Sequence, residues 1–397
     1  MIDIETTFDE QLIAEIKNYF RREIIPKIHT YSETIPTEEK RILFNNLFTD
    51  DAILSLIDAS PDALEEFADN VYRTFPEFAE RYHPQIIYQD ITEDLSIFDN
   101  IKVVTGHELV ITESARLVIA RINEINFHRN STLFLSVKEE LADNVSKTKK
   151  LKALQKIRNY ITGHYKINQI YINNLPVWTR TPFDMFDYIQ FRKTFGRRLI
   201  NSHNLKVCPF CAHDSVDIVN GVRKNHLPAL DHFLPKSKYP FFALSVNNLL
   251  PTCHRCNSSF KGEIDMIKNN YHPLRDRINN VDVFHFNLAL DTPFENPRPE
   301  ALSINIECNI RKFMNNASIF ELDALYNLDK CKKIFFDARE RCEYYKNHGE
   351  YSPIEILADN YLTRMKLHID RGADPKRESL QKFQIEVLKA MNDSLQQ

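Results

Sequence analysis

Apolar and polar positions recur along most of this chain with a helical spacing. Across residues 8–25 the apolar positions Leu12, Ile13, Ile16, Tyr19, Phe20 and Ile24 return every three or four residues, which lines one face of a helix. Pro26 is expected to end that helix, because proline lacks the backbone donor and crowds the preceding turn. Thr37-Glu38-Glu39 opens a helix reaching 48, and Ser60-Pro61-Asp62 opens another, each placing a capping hydroxyl before the first turn. Residues 101–125 are ambiguous: 102–104 and 109–112 can pair as strands, with 113–125 helical after them. Residues 136–162 read as one helix closing at Gly163. Thr181 as cap and Pro182 as first helical residue begin a helix running to 202, whose end carries Arg192, Lys193, Arg197 and Arg198. Residues 226–233 form an apolar strand. Short strands follow at 281–286 and 301–306 around a Pro-rich loop, 292–299. Amphipathic helices cover 322–344, 353–369 and 376–395.

The pattern predicts an α+β protein, predominantly helical. Seven glycines in 397 residues agree with helix over strand. No apolar run approaches the roughly 18 residues of a transmembrane helix. The start, MIDIETTFDEQ, is acidic and lacks the basic-then-apolar order of a signal peptide. The expectation is a cytoplasmic protein without a membrane partner.

Net charge is −4, but its distribution is uneven. Residues 1–100 carry 22 acids against 8 bases, a net −14. Residues 147–198 carry 12 bases against Asp184 and Asp187. Basic stretches supply the counterion-releasing part of nucleic-acid affinity, although 147–158 reads equally well as a solvated helix face.

Of seven cysteines, four form two CxxC pairs, Cys208/Cys211 and Cys253/Cys256. In a reducing compartment such pairs read as metal ligands. Four thiolates close the coordination sphere of one tetrahedral zinc, so the ion is expected to be structural. Cys308, Cys331 and Cys342 read as buried thiols. The 41 residues between the knuckles must hold something folded. They hold Leu230-Asp231-His232-Phe233 at a strand end, then Asn247-Asn248-Leu249-Leu250-Pro251. Asn257 follows the second knuckle, with Lys261 four residues on, expected on the same helix face. Singly, each feature has a plain structural reading: a surface Asp-His pair, a helix-capping asparagine, solvated lysines.

In this order, CxxC, Asp-His, Asn-Leu and CxxCN followed by Lys-Gly resemble the zinc-bearing HNH (ββα-metal) endonucleases. LDHFLPKSKYP and NLLPTCHRCNSSFKG are similar to HNH nucleases of bacterial anti-phage defence loci. The resemblance covers 207–262 and extends loosely to Tyr271-His272-Pro273-Leu274. Lys261 falls one place later than in the commoner CNxxK spelling. The resemblance implies a small zinc-stapled ββα finger. The pattern along the chain places it between helical N- and C-terminal regions, with domains at 1–180, 181–275 and 276–397. It implies that Asp231 and Asn257 hold a catalytic Mg²⁺ or Mn²⁺. His232 would be the general base and Asn248 would fix its loop, with Asn247 as the neighbouring register.

Chemistry is compatible with these roles. An imidazole titrating near ~6.5 accepts a proton at cellular pH, and a carboxylate with an amide oxygen suits a hard cation. Lys236, Lys238 and Lys261 are candidates for phosphate contacts. The implied function is hydrolysis of DNA phosphodiester bonds, leaving 5′-phosphate and 3′-hydroxyl ends, in antiviral defence. Two alternatives stand beside it: an RNA-cleaving nuclease using the same site, and a catalytically idle zinc module binding nucleic acid or protein. The acidic residues 1–100 read either as a solubilising, purely structural domain or as one that docks a protein partner such as an ATPase or shields the basic nuclease region.

Overall fold

A computed structural model describes residues 1–124, 132–162, 175–180, 183–278, 280–290, 292, 297–349 and 351–396. They form an α+β protein in which helix predominates and every sheet has two strands. Contacts divide the chain into two units that interleave in sequence. One comprises Met1–Ala14, Ile189–Phe233 and Val246–Gln397; the other comprises Glu15–Tyr188 and Leu234–Ser245.

The second unit is helical around an aromatic core. Phe44 packs against Tyr31, Phe48, Phe75 and Phe78, with ring centroids 4.6–6.5 Å apart. The short segment Leu234–Ser245 joins this core, Phe241 lying 5.2 Å from Phe183 and 5.7 Å from Tyr72. Tyr72 Oη donates to the Lys238 carbonyl. Thr37 and Ser60 cap the helices Glu38–Leu47 and Pro61–Thr74 as expected.

Several helical expectations change, among them the helices read over 322–344 and 353–369, which are each broken into shorter pieces. Pro26 does not end the first helix, which runs on to Ser32 through a wide turn at Phe20–Ile24. Ile25 N–H bonds Phe20 O there, an i→i+5 step that opens the backbone ahead of the proline. Residues 109–112 are not strand but the start of the helix Glu108–Glu124. Ile111, Ala115, Val118 and Ile122 are buried at helical spacing, so tertiary burial settles the local ambiguity. The single helix read over 136–162 is two, Thr132–Leu141 and Lys147–Ile161, parted at 142–146. Gly163, Thr181 and Pro182 lie outside the described residues; the helix expected from Thr181 begins only at Tyr188 and runs to His203, residues 183–187 being turn and irregular chain.

The first unit contains the strands. β1 (Val219–Asn220) pairs with β2 (Asn225–His226), and β3 (Ala229–His232) pairs with β4 (Leu249–Thr252), both antiparallel. The strand read at 226–233 is thus shorter, because Leu227-Pro228 separates it from β2. β5 (Phe284–Leu288) and β6 (Leu302–Ile306) form the expected C-terminal pair. The C-terminal helices include Arg311–Ile319, Leu322–Tyr326, Asp329–His348 and Gln381–Gln396. Among the described residues no helix is long and apolar enough to cross a membrane.

Candidate functional site

The four cysteines of the two knuckles converge. Their sulfurs all lie within 4.8 Å of one another, and all four residues are buried. Cys211 and Cys253, one from each knuckle, are 4.0 Å apart. Cys256 N–H points at Cys253 Sγ, 3.4 Å away, so a backbone donor faces one of the four sulfurs. Hydrogen bonds from the other three thiols hold Cys211 well below its usual pKa, while burial raises Cys208. One thiolate in this pocket is favoured and further ones need a cation, so the donor set fits a tetrahedral metal ion such as zinc. His213 turns to Asp214 instead, Nδ1 to Oδ1 2.8 Å, and neither it nor His254 belongs to the cluster.

Three connections build the rest of the unit onto this centre. Tyr326 Oη donates to the Cys211 carbonyl at 2.9 Å, and Phe320 stacks on Phe210 with centroids 4.5 Å apart. Ile2 packs against Val207 and Ala212, its N–H bonding Pro209 O. Asp3 accepts from Tyr271 Oη and from Ile278 N–H, and Ile4 N–H donates to Pro273 O. The N-terminal segment therefore clamps the knuckle to the Tyr271-His272-Pro273 stretch.

Asp231 and His232 end β3. The register sets Asp231 opposite Leu250 and His232 opposite Leu249. One residue past the ladder, Phe233 N–H donates to the carbonyl of Asn248 at 2.9 Å. Asn248 is almost wholly buried, and Asn247 is half-buried beside it. From β4 the chain passes Cys253 into a wide helical turn, Arg255–Lys261, with i→i+5 bonding closed by Gly262 N–H on Asn257 O.

Within this turn Asn257 and Lys261 have different surroundings. The carboxamide of Asn257 is half-buried and bonds Ser258 Oγ at 3.2 Å, whereas Lys261 is buried at 2% exposure. Lys261 Nζ lies 3.2 Å from Asp231 Oδ1 and donates to the His232 carbonyl at 2.7 Å. The Lys261 ammonium, expected as a phosphate contact, is thus enclosed and held by two protein oxygens. Asp231 Oδ2 is buried with no hydrogen-bond partner. Burial pushes the carboxyl of Asp231 up to about 6, with Lys261 opposing the shift.

Asp231, His232, Asn248, Asn257, Lys261 and the four cysteines thus belong to one unit. Lys236 and Lys238 belong to the helical unit, where the Lys236 ammonium sits 5.1 Å over the Tyr188 ring. His272 is a core residue: its Nδ1 accepts from Leu274 N–H at 3.2 Å and its ring packs 4.0 Å from Phe233. Two structural residues escaped the sequence reading. His203 bonds the Leu249 carbonyl at 2.8 Å, and its position four residues after Leu199 on the buried helix face is a signal for it. Asp3 carries no such local signal.

No protein-family profile matches this chain, and no solved structure matches it. It is similar to Protein ea31 of Escherichia phage lambda, with 32% identity over 146 residues. The match covers 36% of this chain and 41% of that protein.

Proposed function

We propose that the chain is a metal-dependent endonuclease of the HNH kind that hydrolyses DNA phosphodiester bonds. The observation that carries this reading is the strand register of β3 and β4, which sets His232 beside the Asn248 turn. The next element after β4 is the helical turn bearing Asn257. Histidine at a strand end, asparagine in the connecting loop and asparagine on the following helix is the ββα order that the motif implies. A buried centre of four cysteines beside these elements supports it.

Asp231 and Asn257 are the donors proposed for a second, catalytic ion. Asp231 Oδ2 is a buried oxygen without a partner, and the Asn257 amide supplies another oxygen. Asp231 and Asn257 would hold Mg²⁺ or Mn²⁺, which when bound neutralises phosphate charge. The chain's own residues do the rest. His232 takes the proton of the attacking water as the bond from phosphorus to the 3′ oxygen breaks, and the leaving 3′ oxygen takes a proton from solvent water, giving a 5′-phosphate and a 3′-hydroxyl. Asn248 holds the turn beside His232 through the Phe233 bond. Lys261 fixes Asp231 and the His232 backbone together.

The test is cleavage of plasmid DNA and of labelled RNA by the folded, metal-replete chain with Mg²⁺ or Mn²⁺. DNA cutting that disappears in EDTA and in His232→Ala is the expected result. RNA cutting without DNA cutting would replace the substrate, and cutting of neither would overturn the reading.

For the biological setting we infer anti-phage defence from the motif, with a protein partner such as an ATPase docking on the acidic residues 1–100. The phage-borne relative favours a second setting, a nuclease that phages themselves carry. Plaque counts on cells expressing the wild type or His232→Ala separate the two: defence predicts fewer plaques only with the wild type.

A further inference from the structure

The ribbon of β1 and β2 buries nothing. Val219 pairs with His226 and Asn220 with Asn225, and every residue from 219 to 226 is exposed. Core packing therefore gives no reason for its shape, yet the shape is constrained. A Cβ at Gly221 would come within 2.5 Å of the Lys224 carbonyl oxygen, so this turn closes only around glycine. The root is braced from the helix Tyr188–His203. Arg197 Nη1 donates to Asn220 Oδ1 at 2.9 Å, and Arg192 Nη2 donates to the Pro228 carbonyl at 3.0 Å. Only Leu227-Pro228 separates β2 from β3, which ends in Asp231-His232.

The side chains on this braced ribbon carry charge of one sign. Val222, fully exposed, leads Arg223 and Lys224 at the tip, and His226 follows on β2. No acidic residue lies between Asp217 and Asp231. Asp217 itself is matched by Lys206 at 3.1 Å and by Ser215. Lys193 and Arg197 add exposed positive charge on the bracing helix.

We propose that this ribbon is a DNA-gripping finger that enters a groove of duplex DNA, with Arg223 and Lys224 on phosphates and Val222 against base edges. The inference rests on the nuclease reading and adds where the substrate is held. A major groove about 12 Å wide admits a two-stranded ribbon. Cationic side chains at its tip gain from counterion release. An apolar side chain next to them meets a thymine methyl or wedges against a base step. The deep, narrow major groove of A-form RNA excludes such a ribbon, so the occupant is duplex DNA.

The test uses the full chain in a His232→Ala background, comparing the parent with R223Q/K224Q and with V222S by fluorescence anisotropy on a labelled duplex across salt. Zinc content and melting are checked first; all three positions are exposed, so the fold is retained. For R223Q/K224Q the slope of log Kd against log salt falls by about 2, and binding at low salt weakens by about tenfold or more. V222S keeps the slope and alters which sites the otherwise wild-type enzyme cuts. In that enzyme R223Q/K224Q raises KM and leaves kcat near wild type. Unchanged slope and Kd in R223Q/K224Q overturn the finger even if the wild type cuts DNA. Equal weakening on duplex RNA overturns the groove argument. A chain that cuts no nucleic acid but loses duplex binding in R223Q/K224Q overturns the nuclease reading and leaves the finger standing.

Discussion

Lys261 reaches from its helical turn to two neighbours on one strand, its Nζ 3.2 Å from Asp231 Oδ1 and 2.7 Å from the His232 carbonyl oxygen. Successive strand residues point to opposite faces, so a carboxylate and an imidazole in sequence do not naturally share a setting. One ammonium bonded to the side chain of the first and the backbone of the second fixes both. The pair is enclosed, with side-chain exposures of 1% and 5%. A buried pair of this kind is weak evidence of net stability, but removing one partner strands a charge.

Lys261→Met is therefore expected to cost about 3–5 kcal/mol at pH 8. The loss shrinks at pH 5, because the Asp231 carboxyl, already raised to about 6, then takes up a proton. Asp231→Asn in the same chain should recover part of the loss at pH 8. Urea denaturation of the three proteins at both pH values measures this. Melting of Lys261→Met at wild-type urea concentration at pH 8 would show that the pair positions nothing.

The cysteine centre predicts one tightly bound zinc per chain. Because Tyr326 and Phe320 anchor the C-terminal helices to the Cys208-Cys211 knuckle, metal loss should disorder far more than the knuckles. Cys253→Ser or strong chelation is expected to abolish cooperative unfolding of this unit, since structural zinc contributes on the order of 10 kcal/mol in small sites. Elemental analysis with near-UV circular dichroism tests it. Folded protein containing no zinc contradicts it.

His232→Ala is expected to lower the cleavage rate roughly 10²–10⁴-fold, the usual range for loss of a general base. Zinc content should not change, since His232 is no part of the cysteine cluster. Asn257→Ala should also inactivate, with partial recovery at high Mn²⁺ if it is a metal ligand. Single-turnover cleavage of a labelled duplex gives these rates; cutting by His232→Ala at the wild-type rate places the chemistry elsewhere.

The cysteine centre was legible because ligand spacing is written locally: two CxxC pairs need only a return of the chain. The strand-loop-helix order around Asp231, Asn248 and Asn257 was legible for the same reason. Long-range packing left weaker traces. Leu234–Ser245 sits inside the motif in sequence, yet its Phe241 and Phe242 belong to the aromatic core of the helical unit, taking Lys236 and Lys238 with them. Conversely Ile2, Asp3 and Ile4 head the acidic stretch but clamp the metal unit. Deleting residues 1–100 to test a shielding role would thus remove part of that unit. Charge density gave no hint of this, because burial partners hundreds of residues away decide it. The same holds for Lys261: sequence supplies a lysine, and the contacts that enclose it come from Asp231 and His232, 30 and 29 residues away.

His203 is buried, with Nε2 on the Leu249 carbonyl and Nδ1 on Thr6 Oγ1 at 3.0 Å, so burial holds it neutral and lowers its pKa to about 4. His272 is likewise lowered by burial, and then by Arg275, to about 3. In the unfolded chain both titrate near ~6.5. Between pH 6.5 and 4 the unfolded chain binds protons that the native state refuses, so these groups support stability fully above pH 6.5 and lose it as pH falls. Asp231 works the other way. Its raised carboxyl lets the native state keep a proton that the unfolded chain releases between about pH 4 and 6, so that contribution grows as pH falls. The two histidines outweigh it: about 2.5 units each over this window against about 2, at 1.36 kcal/mol per unit, leave a loss of roughly 4 kcal/mol from pH 6.5 to 4. His203→Gln isolates one share, since its amide can still donate to Leu249 O but does not titrate. The variant should lose about 3 kcal/mol less than the wild type over the same window. Urea denaturation at half-unit pH steps gives the difference curve. A difference that is flat from pH 6.5 to 4 would mean that His203 is protonated in the folded protein and that its burial does not set the acid limit.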